Sequence, residues 1–142
     1  MQAVTKRYVV AASNFLLVLL FVYTGCSKLL DHHAFKEQLE EIRYLKPFAG
    51  PLSILLPVTE LLVGLAIASK PIRRYGLWCA AVLMSLFSLY VGVMLAAHQT
   101  KLPCSCGDVI KALGWKKHLY FNIFFMLLAW INLKFTGIRK RE

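Results

Sequence analysis

Two thiols stand one residue apart in Leu102-Pro103-Cys104-Ser105-Cys106-Gly107, between a turn-forming proline and a glycine. A disulfide between residues i and i+2 closes a small ring. Its Cα separation lies near the upper end of the usual range, so the bond is strained and easily reduced. Such a bond suits electron exchange with another thiol better than stapling. Lys101, Lys111, Lys116 and Lys117 lie close in sequence, and positive charge favours the reactive thiolate. Two other chemistries fit the same residues: a minor structural bond, and a thiolate metal site. The metal site would draw on Cys104 and Cys106 with His98, His118 or Cys26. Thiolates so spaced suit a soft ion of the Cu(I) type. Zinc sites usually separate their cysteines by two or more residues, so zinc fits poorly.

Cys26 is the third candidate thiol. If the first helix runs outward, Cys26 lies about one turn from its outer end, on the side of the Cys-x-Cys segment. It could resolve or pass on a disulfide there. A lone cysteine in a membrane helix is more commonly a small packing residue, and Cys79 is assigned to packing. His32 and His33 are expected at the surface, near headgroups.

A second constellation is ionisable. Glu60 is the one acidic residue near the middle of any apolar run. A charge there costs several kcal/mol, about 3 on insertion scales, unless it is protonated, paired or near water. Lys28, near the end of the preceding run, is its candidate partner, and Tyr23 a candidate neighbour. The group is either a pair that fixes helix register or a proton or ligand site inside the bundle.

These residues need a frame. The chain has 142 residues and is 58% hydrophobic, with runs approaching the roughly 20 apolar residues that cross a bilayer. It reads as one all-α integral membrane domain over 1–142. Four transmembrane helices, at about 8–30, 52–68, 77–97 and 119–135, form an up-down bundle. The net charge of +10 comes from bases flanking the apolar runs, where they meet headgroups. No nucleic-acid module is present.

On the first run, Asn14, Phe21, Gly25 and Lys28 share one helical face, which should turn toward other helices. Thr24-Gly25-Cys26 also resembles a lipoprotein cleavage site. Tyr23 stands where that signal takes an aliphatic residue, and the apolar run continues through Leu29 and Leu30, so a span is expected. Phe35, Leu39, Ile42 and Leu45 recur at helical spacing among charged residues. They predict a short amphipathic helix on the membrane surface, ended by Pro47, Gly50 and Pro51. Pro57, Glu60 and Gly64 share a face of the second span, and Ser85, Ser88 and Gly92 a face of the third.

Lys and Arg divide nine to eight between the two sides. The compact Lys70/Arg73/Arg74 loop and the basic tail favour termini in the cytoplasm. The Cys segment then faces the oxidising compartment.

Tyr23-Thr24-Gly25-Cys26-Ser27-Lys28-Leu29 resembles the G-x-S-K-L signature of DoxX-like membrane proteins. Pro57-Val58-Thr59-Glu60-Leu61-Leu62-Val63-Gly64 resembles their P-x-x-E-L-x-x-G signature. Pro103-Cys104-Ser105-Cys106-Gly107, followed by Leu113-Gly114-Trp115 and the last span, resembles the MauE (methylamine utilisation) branch, and the likeness covers nearly the whole chain. It implies a four-helix protein of the bacterial inner membrane. It also implies periplasmic thioredoxin-like partners and a role in forming or maintaining disulfides during protein maturation. The fold is similar to that of membrane disulfide oxidases, which pass electrons to quinone. This chain has C-x-C rather than C-x-x-C and no second close cysteine pair, which argues against direct quinone reduction, and no cofactor is assigned. The expected activity is thiol–disulfide exchange, as a thiol–disulfide oxidoreductase, through Cys104 and Cys106. The alternatives are a non-catalytic assembly or scaffold protein and the copper-type site. The sequence does not speak to oligomeric state.

Overall fold

The computed structural model describes residues 1–97 and 114–138. Its elements are α1 (Gln2–Leu30), α2 (His32–Glu41), a 3-10 turn (Lys46–Phe48), α3 (Ala49–Ala68), α4 (Arg73–Ala96) and α5 (Trp115–Ile138). Among the described residues, four stretches are long and apolar enough to cross a membrane: Val4–Leu30, Lys46–Ala68, Arg73–Ala96 and Lys116–Thr136. The chain is an all-α multi-pass membrane bundle. In hydrocarbon only internally bonded backbone is tolerated, so helices are the form such apolar runs must take.

The helices outrun the apolar segments that announce them. α4 begins at Arg73, within the connection expected at 69–76, and α5 begins at Trp115. Polar residues continue the backbone ladder past the hydrocarbon edge. Arg73 also closes α3, donating from Nε to the Ile67 carbonyl (2.8 Å) and from Nη2 to the Ala68 carbonyl (3.4 Å). These are the carbonyls that a helix end leaves without intrahelical partners. Gly114 takes φ +75 immediately before α5, a conformation that glycine adopts without a Cβ clash.

α1 and α3 run antiparallel in close contact. A Cβ on Gly25 would stand 2.9 Å from Leu61 Cγ and 3.0 Å from the Pro57 carbonyl, and one on Gly64 would stand 3.2 Å from Val22 Cγ2. α3 and α4 meet as tightly, since a Cβ on Gly76 would fall 2.7 Å from the Ile67 nitrogen. Small residues at crossings are how membrane helices gain packing without a hydrophobic drive. α4 and α5 are joined by the edge-on Trp78–Trp130 rings, 5.8 Å apart. The core between the helices holds Leu17, Phe21, Val63, Ile67, Leu77, Ala80, Ala81, Met84, Phe125 and Ala129.

The expected amphipathic helix exists as α2, with a different use. Its Phe35 and Leu39 are buried with Ala49 against Leu45, Leu52 and Leu56, and Ile42 is also buried. The apolar face therefore rests on protein rather than in lipid. A helical period reveals a face, not what covers it.

Candidate functional site

One end of the bundle gathers the C-terminus of α1, all of α2 and the first turns of α3. At this end, which we call the loop end, α4 finishes and α5 starts. The face predicted on α1 points inward, with Asn14, Phe21, Gly25 and Lys28 all buried. On α3, Pro57, Glu60 and Gly64 are buried on the facing side.

Lys28 and Glu60 meet there, Nζ to Oε1 at 2.5 Å, at 3% and 2% exposure. A lysine near a span's end ordinarily snorkels toward the headgroups. Here the side chain folds back along α1, the direction in which helical side chains lean, and reaches the depth of Glu60. The Thr24 hydroxyl adjoins the same carboxyl. Phe35 of α2 and Phe87 of α4 flank the ammonium, with ring centroids 5.5 and 5.4 Å from Nζ. Such rings favour a cation through their quadrupoles. Lys28 therefore touches α2, α3 and α4 from its own position on α1.

The carboxylate is incompletely matched. Glu60 Oε2 is buried without a hydrogen-bond partner among the described residues, as are Asn14 Oδ1 and Ser88 Oγ. One turn below the start of α3, Ser53 Oγ donates to the Gly50 carbonyl at 2.7 Å. Its single proton is then committed, so the His32 Nε2, 2.9 Å away, is the donor in their contact. His32 is half-buried by this bond and differs from its neighbour His33, which is exposed. The sequence had assigned both to the surface. Ser53 and His32 were missed, although Ser53 shares the Pro57–Glu60 face at helical spacing, which was a usable signal.

The other predicted residues fall elsewhere. Tyr23 is 44% exposed, and Cys26 is exposed too, on the side of α1 turned away from Lys28. The structure does not bring Tyr23 to the ion pair. Cys79 is exposed rather than packed. His118 belongs to the first part of α5, not to a loop, and is 2% exposed. Cys104, Cys106 and His98 lie outside the described residues. Among the described residues no three His, Cys, Asp or Glu side chains group as metal ligands.

No match to a curated protein or to a solved structure is found. A family model does match: the one described as methylamine utilisation protein MauE, over residues 6–135. With that match running from the first turns of α1 to the last turn of α5, the chain belongs to the MauE family.

Proposed function

We propose that this protein is a membrane thiol–disulfide exchange component that works through Cys104 and Cys106. The observation that carries the proposal is the Cys104-Ser105-Cys106 sequence in the segment joining α4 to α5. Membership in a family named for methylamine utilisation supports a role in maturing other proteins. The partner is a soluble thioredoxin-like protein. Its thiolate attacks one sulfur of the Cys104–Cys106 disulfide, the S–S bond breaks, and the other cysteine leaves as thiolate and takes a proton. A second partner thiolate then resolves the mixed disulfide. The partner is oxidised and the loop is left as a dithiol, and the same steps in reverse oxidise the loop.

The proposed setting is a bacterial inner membrane, with the termini in the cytoplasm and the cysteines on the periplasmic side. Exposed Lys70, in the connection between α3 and α4, and exposed Arg74, in the first turn of α4, support that orientation through the positive-inside preference. The test is labelling of intact cells with a membrane-impermeant maleimide, in a Cys26→Ser, Cys79→Ser background, before and after mild reduction. Label that enters only after reduction is the expected result. Label that enters only after lysis reverses the orientation and removes the oxidising setting. Replacing either loop cysteine by serine should trap a mixed disulfide with the partner, and full activity in both variants would overturn the exchange chemistry.

A further inference from the structure

Ser53, Pro57 and Glu60 lie along one buried face of α3. The spacing from Ser53 to Glu60 is about 10 Å along the helix axis at 1.5 Å per residue. Pro57 has no N–H, so the Ser53 carbonyl, four residues earlier, loses its helical donor. That carbonyl points along the axis toward Glu60, because helix carbonyls point toward the C-terminus. A column of polar atoms results: the Glu60 Oε2, buried without a partner among the described residues, the freed Ser53 carbonyl, the Ser53 hydroxyl and the His32 ring. His32 is half-buried and forms the outer end. Toward the terminal end the same interior is closed by Leu17, Phe21, Val63 and Ile67.

We infer that Glu60 is a proton-exchange site served from the loop end alone, through water held along the Ser53 carbonyl and hydroxyl to His32. Buried carboxyls inside membrane bundles are where proton relays are built, and water bridges buried polar groups that have two or more partners. Protonation of Glu60 takes a proton from water at the loop end and leaves the Lys28 ammonium in place. The Phe35 and Phe87 rings hold that ammonium when the carboxylate no longer does. Among the described residues, the titratable groups that face Glu60 are Lys28 of α1, directly, and His32 of α2 by way of Ser53. α4 presents the uncharged Phe87 ring beside the ammonium, and the titratable His118 of α5 is buried in that helix's first turns. The inference is independent of the cysteine chemistry and stands or falls without it.

Infrared spectroscopy on the full chain in lipid tests it. The carbonyl stretch of a protonated buried carboxyl should appear as the pH is lowered and should shift in D2O. Glu60→Asp, which keeps the carboxyl, should move the band and so assign it. Ser53→Ala and His32→Gln should slow the deuterium shift by about tenfold or more while leaving the band's midpoint in place. No band assignable to Glu60 at any pH would make the pair a locked structural contact and overturn the site. Unchanged exchange rates in both the Ser53 and His32 variants would overturn the route. Neither result bears on whether Cys104 and Cys106 exchange disulfides, which the labelling experiment reads separately.

Discussion

The two halves of the bundle solve the same packing problem in opposite ways. Toward the terminal end, α3 and α4 press backbone against backbone at Gly76. The space is filled by Leu77, Ala80, Ala81 and Ile67, and Arg73 occupies the α3 carbonyls. Toward the loop end, four helices converge on a lysine. The carboxylate beside it has a buried oxygen with no partner among the described residues. Hydrocarbon interiors punish unmatched polar atoms. The terminal half is closed by apolar packing, and the loop half buries a charge pair. Replacing a buried ion pair by apolar residues is often neutral or stabilising, so strength alone does not account for the pair.

The contrast can be broken most forcefully at Lys28. Lys28→Met leaves Glu60 buried alone and should cost about 3–5 kcal/mol, read as a lower unfolding temperature in detergent. The double variant Lys28→Met, Glu60→Met should recover most of that loss. If the double variant is as unstable as the single one, the pair is holding the frame and the two halves are alike. Next comes the terminal half. Gly76→Leu drives a side chain into the Ile67 and Ala66 backbone, which cannot yield, and should cost about 1–3 kcal/mol. It should also loosen α3 from α4, measured as faster amide exchange near Ile67. Phe35→Leu keeps the apolar contact of α2 but removes the ring beside Lys28. The expected loss is about 0.5–1 kcal/mol, with protease sensitivity rising within α2 while α4 and α5 are unaffected. The smallest effect belongs to Gly92→Ala, where nothing lies within 4 Å of the new methyl. It should stabilise slightly, by about 0.5–1 kcal/mol. A loss there would mean that a partner surface covers that part of α4.

The sequence carried much of this and missed some of it for identifiable reasons. The inward faces of α1 and α3 follow from period alone, because Asn14, Phe21, Gly25 and Lys28 fall on one side and Pro57, Glu60 and Gly64 on another. Those faces offer the Lys28–Glu60 pairing as a candidate, since they turn a basic residue near one span's end and an acidic residue deeper in the next span toward each other. Tyr23 and Cys26 lie on the opposite side of α1 by the same arithmetic, so their exposure was readable there too. The seat of α2 was not readable. Its charged face and apolar face would look the same on a bilayer or on a protein, and only the three-dimensional position of Leu52 and Leu56 decides. His32 was hidden for a related reason, because one histidine at a boundary looks like its neighbour until Ser53 is placed beside it. The helix ends at Arg73 and Trp115 escaped a count of apolar residues because the backbone ladder continues into water.

Lys28 precedes its partner by 32 residues, and that order has a consequence for biogenesis. As the chain is made, α1 enters the bilayer before Glu60 exists. During that interval the ammonium can be satisfied only by reaching outward to headgroups and water. It swings inward when α3 arrives, and only with α3 in the antiparallel register that brings Gly25 against Pro57. The ion pair is thus a late event in assembly. It distinguishes a correctly paired bundle from one in which the spans are merely inserted, and a chain stalled before α3 would keep its lysine at the membrane surface.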